Sequence, residues 1–253
     1  MLKVRDFVEF EKGYIPLIIS APHGGSIRCE NIPERSNGIF GIDKGTKEFS
    51  KDLIELLKRN FRMKATGNVA PSYVISKVPR NQIDLNRDDS AAYVETSSLA
   101  QEIYNFYHNK IQEIIRSNLK SHGRSLLIDI HGFEKKSRPL GFRDVDVILG
   151  TNNLESLFAE SIPKRDWGKN IRGKIIKKFL QLRIPIAPGH PRRREYVLTG
   201  GYITQRYGAS HFLAGSKTIQ IEFSDKIRIY DGELRETVLK ALTSILLEDL
   251  MHV

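Results

Sequence analysis

The feature that most constrains this chain is an alternation. Short runs of apolar residues are separated by longer stretches whose apolar positions recur at three- and four-residue spacing. Ile15–Ala21 (IPLIISA) and Ser125–Ile130 (SLLIDI) read as buried strands, and further strands are expected over Ser72–Val78, Val145–Leu149, Ile184–Ile186 and Lys217–Phe223. Between them, helical spacing marks Thr46–Phe61, Glu95–Leu119, Ile171–Leu182 and Glu233–Leu250. A strand that is apolar at successive positions needs cover on both faces, and intervening helices supply it. The expectation is a three-layer α/β fold, a mixed but mostly parallel central sheet flanked by helices on both faces. No repeat, linker or composition shift divides the chain, so residues 1–253 are read as one domain. Loops are expected over Arg28–Ile42, Glu134–Asp144 and Ala187–Leu198.

Composition narrows the function classes. With 40% hydrophobic and 28% charged residues among 253, the chain is neither low-complexity nor wholly disordered. The single cysteine, Cys29, excludes an intramolecular disulfide and a cysteine-built zinc site. No apolar run has signal-peptide or membrane-spanning length, so a soluble cytoplasmic protein without membrane association is expected. A net charge of +10 favours an anionic partner, whether nucleic acid, an acidic membrane or a small carboxylate. No phosphate-binding glycine loop is present, and no helix-turn-helix, zinc-finger or aromatic RNA-binding pattern. A small anionic substrate is therefore expected over nucleic acid. No pattern specifies an oligomeric state.

Ligands of open α/β sheets sit beyond the carboxyl ends of the strands. His23 and His131 each follow an apolar strand, in IISAPHGG and LLIDIHG, and each precedes glycine. Either could be an ordinary turn histidine, but two at equivalent positions suggest a metal site. A catalytic zinc needs three protein ligands and an open position. Glu30, Glu34, Asp43 and Glu134 are all available as the carboxylate, and spacing alone does not choose among them. Asp43 could equally cap the helix that begins near Thr46. In the strand Lys217–Phe223, Ile219 and Ile221 share one face, Gln220 and Glu222 the other. A carboxylate there is costly to bury without a partner, which makes Glu222 a candidate general base. Arg80 to Asp89 is the densest polar segment after any strand, and guanidiniums suit carboxylates and oxyanions. Arg192-Arg193-Arg194 is the sharpest basic cluster, most simply a solvated loop.

Taken in order, Ser20-Ala-Pro-His23-Gly-Gly, Asp43, Arg80…Asp84-Leu-Asn86-Arg87, Asp129-Ile-His131, Gly200-Gly-Tyr202-Ile-Thr and Ile219-Gln-Ile-Glu222 resemble the N-formylglutamate amidohydrolase family. The resemblance runs from about residue 15 to 231. It implies a hydrolase of zinc carboxypeptidase-like fold, with a mixed sheet between helices and one catalytic Zn2+ per chain. By that resemblance His23, Asp43 and His131 would be metal ligands and Glu222 the general base. Arg80 would stabilise the oxyanion, while Asn86, Arg87, Gly201 and Tyr202 would bind substrate. Asp129, on the same strand face as His131, could orient that histidine. Ordinary carboxypeptidases place a glutamate three residues after the first histidine; here that position is Ser26. The Arg192–Arg194 run has no counterpart in the family.

The expected activity is a zinc-dependent amidohydrolase acting on linear amides, cleaving an N-acylated acidic amino acid or short peptide. Two alternatives are a zinc peptidase acting on a cell-wall or poly-glutamyl peptide, and a metal-free, nucleic-acid-binding relative that uses its basic surface.

Overall fold

The computed structural model describes residues 3–64, 70–137, 144–196 and 198–251. Residues 138–143 of the loop expected over Glu134–Asp144, and Val197 of the Ala187–Leu198 loop, lie outside the described residues.

Seven strands form one sheet in the order β1-β3-β2-β4-β7-β5-β6. They are β1 (Val8–Glu11), β2 (Leu17–Ala21), β3 (Ser72–Ser76), β4 (Ser125–Phe133), β5 (Val147–Gly150), β6 (Ile186–Ala187) and β7 (Ser216–Ser224). The pairs β2–β3, β2–β4, β4–β7 and β5–β6 are parallel, whereas β1–β3 and β5–β7 are antiparallel. The helices are α1 (Thr46–Lys64), α2 (Asp89–Ala92), α3 (Ser98–His122), α4 (Ile171–Gln181), α5 (Tyr202–Arg206) and α6 (Gly232–Met251). No helix among the described residues is long and apolar enough to cross a membrane.

Period-two alternation divides the sheet between two cores. Leu17 and Ile19 of β2, Leu126, Ile128 and Ile130 of β4, and Ile219, Ile221 and Phe223 of β7 pack with α1, α4 and α6. The intervening Ile18 and Leu127 face α3, where Ala100, Ile103, Tyr107 and Ile111 cover them. That second face changes character along β4 and β7. Beyond Leu127 the inward positions become Asp129 and His131; on β7 they are Gln220 and Glu222. The sheet is thus apolar throughout on one face and polar at one end of the other, which fixes where a ligand can enter.

Several elements depart from expectation. Strand β1 was not legible in the sequence, because it has only four residues, VEFE, of which two are acidic. It closes the sheet as a charged edge, which suits a position with unpaired backbone groups. Strand β4 runs to Phe133, so His131 lies within a strand rather than just after one. Its extension is held by the register with β7, where His131 stands opposite Glu222. Helix α3 starts at Ser98, capped by the Ser97 hydroxyl on the Ala100 amide, and ends at Gly123, whose φ of 67° makes a left-handed cap.

His108 of α3 is buried among Tyr104, Tyr107, Tyr202 and Tyr207, and its Nδ1 lies 2.8 Å from the Tyr207 hydroxyl. Burial pushes its pKa down from 6.5 to about 3. As pH falls below 6.5 the unfolded chain gains a proton that the folded chain refuses. Stability should therefore fall between pH 6.5 and about 3, with a slope approaching about 1.4 kcal/mol per pH unit from this residue. Urea unfolding of the wild type and His108→Gln across that range should show the wild type losing stability more steeply. Parallel curves would contradict the assignment.

Candidate functional site

The sheet, two loops and the α5 turn meet at a cavity of about 700 Å³ beyond β2, β4 and β7. His23, two residues past β2, and His131 of β4 bring their rings to 4.9 Å between centroids, nearly edge to face. Asp43 reaches both from the loop before α1. Its Oδ2 lies 3.5 Å from His23 Nδ1 and 3.4 Å from His131 Nδ1. The same oxygen accepts the Gly132 amide at 3.1 Å. Its side chain does not cap α1; only the Asp43 carbonyl does, accepting from the Thr46 amide and hydroxyl.

The far side of each imidazole is held by a carboxylate without solvent exposure. His23 Nε2 lies 2.7 Å from Asp84 Oδ1, and His131 Nε2 lies 2.7 Å from Asp129 Oδ2. Asp129 is fixed in turn by the Ser20 hydroxyl at 2.5 Å. Burial alone would raise Asp84, but its hydrogen bond to His23 and the Arg80 guanidinium hold it well below the usual carboxylate range. An ionised Asp84 can only accept, so His23 Nε2 donates, and in the neutral ring Nδ1 carries the lone pair. That Nδ1 is buried and makes no hydrogen bond among the described residues. The three donor atoms of His23, Asp43 and His131 lie within 4.8 Å of one another, and all three residues are buried.

This arrangement fits a divalent metal ion. Ligands about 2.0–2.1 Å from a tetrahedral zinc stand about 3.3 Å apart, and 3.4 and 3.5 Å are close to that edge. The second-layer carboxylates on Nε2 are what metal-ligating histidines require. Of the other carboxylates considered, Glu30 is exposed and Glu34 pairs with Arg28 at the surface at 2.5 Å. Glu134 lines the cavity but is not part of the His–Asp–His group.

Glu222 faces the same space from β7. Gln220 donates to its Oε1 at 2.9 Å and accepts the Gly201 amide at 2.6 Å, linking the carboxylate to the α5 turn. Burial raises the Glu222 pKa; the His131 cation opposes this and Asp43 reinforces it. Burial disfavours protonated His131, but Asp129 and then Asp43 outweigh it and raise its pKa well above the usual value. For Asp43 the same contacts run the other way, and hydrogen bonds from His131 and His23 overcome burial to keep it ionised.

Arg80 and Arg87 both direct Nε to Asp84 Oδ2 at 3.0 Å and border the cavity. Arg87 thus bonds Asp84 rather than its chain neighbour Asp88, which caps α2 through Ser90. Asn86 spans the site, with Nδ2 3.4 Å from His131 Nε2 and Oδ1 accepting the Ile203 amide at 2.8 Å. Gly201 leaves room for Asn86, because a Cβ there would stand 2.2 Å from Asn86 Nδ2 and push the amide away. Tyr202 is the exception among the expected residues. It is not among those lining the cavity; its ring packs against His108 and its hydroxyl meets the Arg206 guanidinium.

Sequence reasoning missed Asp84 as the anchor of His23, and it missed Arg228 altogether. Arg228 is buried in a π-helical turn, Lys226–Tyr230, and donates to the carbonyls of Phe223 at 2.9 Å, Phe133 at 2.9 Å and Lys44. Those carbonyls adjoin Glu222, His131 and Asp43, so one guanidinium ties together the three segments that carry the site. Nothing in the local sequence IRIY signals this, since the partners come from three distant segments.

The arrangement defines a three-layer α/β protein with a His–Asp–His cluster and a facing glutamate at the end of its central strands. No family model matches the chain, and no curated protein does. Solved structures do match. The N-formylglutamate amidohydrolase of Ralstonia eutropha JMP134 superposes at a TM-score of 0.64 with 13% identity, over 98% of this chain and 98% of that one. A gene product of Agrobacterium tumefaciens superposes at 0.59 with 14% identity, over 96% and 95% respectively. At such identities the chain shares their fold.

Gly132 lets the Arg228 clamp close, for a Cβ there would stand 2.3 Å from Arg228 Cζ. Gly132→Ala should cost about 1–3 kcal/mol in urea unfolding. In an Arg228→Ala background the same change should cost clearly less, because its clash partner is gone. Equal costs in both backgrounds would show that Gly132 and Arg228 are not coupled.

Proposed function

We propose that this protein is a metal-dependent amidohydrolase, most simply with one zinc ion, acting on an N-acylated acidic amino acid or short acidic peptide of the N-formylglutamate type. The observation that carries the reading is the paired presentation of His23 and His131. Each has Nε2 on a buried carboxylate and Nδ1 turned toward Asp43, with Glu222 in register opposite His131. The shared fold with an N-formylglutamate amidohydrolase agrees with it.

His23, Asp43 and His131 would hold the ion, which when bound supplies Lewis acidity to a carbonyl and to water. Glu222 takes the proton of the attacking water and returns it to the departing amine. Its raised pKa brings it nearer that double duty, since a base must also give the proton back. Arg80 borders the same cavity and carries guanidinium donors for the oxyanion of the tetrahedral species. Arg87 and Asn86, on the adjoining wall, hold the substrate carboxylate, and Arg87 is the more exposed of the two arginines. The Asp84 carboxylate keeps both guanidiniums in place through Nε, and Arg80 Nη1 lies 4.0 Å from Asp43 Oδ1, beside the cluster.

The test joins elemental analysis to turnover of formyl- and acyl-amino acids. Wild type purified without chelator should carry roughly one zinc per chain, and folded His23→Ala and His131→Ala should lose it. Glu222→Gln should keep the metal and lose at least about a hundredfold in kcat. A Glu222→Gln protein with normal metal and full turnover would overturn the role of Glu222. A wild-type chain that refuses added zinc would overturn the proposal.

Separately, Asp84→Asn removes the negative charge beside His23 Nε2 and replaces one acceptor oxygen with an amide donor, which weakens the hold on the His23 tautomer. It should weaken zinc binding about 10–100-fold in a chelator competition assay. Unchanged affinity would show that His23 is oriented by other contacts.

A further inference from the structure

The positive charge of this chain is not spread over its surface. Between residues 163 and 195, eleven Lys and Arg stand against only Asp166 and Glu195. That one segment therefore holds nine of the ten net positive charges. It comprises a short 3-10 turn (Lys164–Asp166), helix α4 and the loop beyond β6.

Four of these eleven cations line one concavity. Arg165, Lys169, Lys177, His190 and Arg192 line a cavity of about 610 Å³, with Gly168 and Pro191 as backbone walls and no carboxylate in its lining. Lys169 pairs with Asp166 at 2.7 Å, and Lys177 donates to the Gly168 carbonyl at 2.9 Å. Arg192 and Lys177 have no ion-pair partner among the described residues.

The arginine loop is held rigid from beneath. Arg172 of α4 has no solvent exposure, and its guanidinium donates to Glu195 at 2.8 Å, to the Pro191 carbonyl at 3.0 Å and to the Arg193 carbonyl at 2.8 Å. Glu195 also accepts the amides of Thr151 at 2.8 Å and Asn153 at 2.9 Å. With the loop carbonyls drawn inward, Arg192, Arg193 and Arg194 are all exposed. A buried ion pair spent on fixing a surface loop leaves less ordering to be done when an anion binds. The lining of this cavity shares no residue with that around the His–Asp–His cluster, and the inference does not depend on the proposed hydrolase activity.

We propose that this cavity and the arginine loop bind the phosphate backbone of single-stranded nucleic acid. Asp166 pairs with both Lys169 and Arg165, at 2.7 and 3.7 Å, so one carboxylate stands against four lining cations, and the excess of guanidinium and ammonium groups matches a repeating phosphodiester. The surface is concave, which suits a strand lying in a groove better than a flat lipid sheet. Tyr196, two residues past Arg194 and 55% exposed, offers a ring on which a base can stack. The sequence patterns set against nucleic acid were base-reading motifs; backbone binding needs none of them.

The test is fluorescence anisotropy with a labelled oligouridine of roughly 20 nucleotides, run from about 50 to about 200 mM salt. Four lining cations on phosphates give a log–log salt slope near −3 on single strands, so affinity should fall about fiftyfold over that range. The reversal set Arg165→Glu, Lys177→Glu and Arg192→Glu should weaken binding at least tenfold and flatten the slope. A control set with the same change in net charge, Lys3→Glu, Lys12→Glu and Lys120→Glu, should stay near wild type. If the reversal set misfolds by circular dichroism, the neutral set Arg165→Gln, Lys177→Gln and Arg192→Gln replaces it. Equal losses in the α4 and control sets, or no wild-type binding at the lower salt, would overturn the proposal. So would preferential binding of phosphatidylserine vesicles over the oligonucleotide.

Discussion

Two carboxylates without solvent exposure, Asp84 and Asp129, are the constraint on which the cavity end of this molecule depends. A buried carboxylate is tolerable only when its lone pairs are met by donors or charge. Asp84 collects His23, Arg80, Arg87 and the Asn86 amide, and Asp129 collects His131 and Ser20. Each of these bonds aims a functional group. The imidazoles are turned so that Nδ1 faces Asp43, and the two guanidiniums are held by Nε at the cavity wall. The energetic requirement of the carboxylates and the geometry of the site are the same set of hydrogen bonds.

The scaffold serves that arrangement by separating its two faces. One face of the sheet is apolar along its length and carries the packing against α1, α4 and α6, including the Phe49–Phe223 ring pair at 4.4 Å. The other is apolar only in its first half, where α3 covers it, and polar where the cavity opens. Arg228 then holds the three polar segments together through their backbones. This division of labour lets polar residues sit at the ends of β4 and β7 without interrupting the core behind them.

Much of this was legible in the sequence, for physical reasons that can be named. Fully buried strands such as β2 and the long helix α3 announce themselves by period and by caps, and the alternation in KTIQIEF placed Gln220 and Glu222 on one face. His23 and His131 were visible as histidines at strand ends. What spacing did not settle was the carboxylate between them, because Glu30, Glu34 and Asp43 all precede the same helix. The resemblance pointed to Asp43, and the fold brings only Asp43 of these three to the histidines. Arg228 and Asp84 act through partners from distant segments, and long-range contacts leave no local signature. The edge strand β1 was hidden for the opposite reason. Its alternating VEFE is too short and too acidic to stand out from a loop. The Arg192–Arg194 run was read as a solvated loop, a reading that counted three charges and overlooked the others that α4 and its flanks bring beside them.

The central claim is that His23 and His131 present Nδ1, with Asp43, to a single metal ion. The most direct measurement is an anomalous-difference map, at the zinc absorption edge, from crystals grown with zinc. The account predicts one strong peak about 2.0–2.1 Å from both Nδ1 atoms and bonded to an Asp43 oxygen, with Asp84 and Asp129 still on Nε2. No peak in the cavity, or a peak coordinated through Nε2 with the carboxylates displaced, would contradict it.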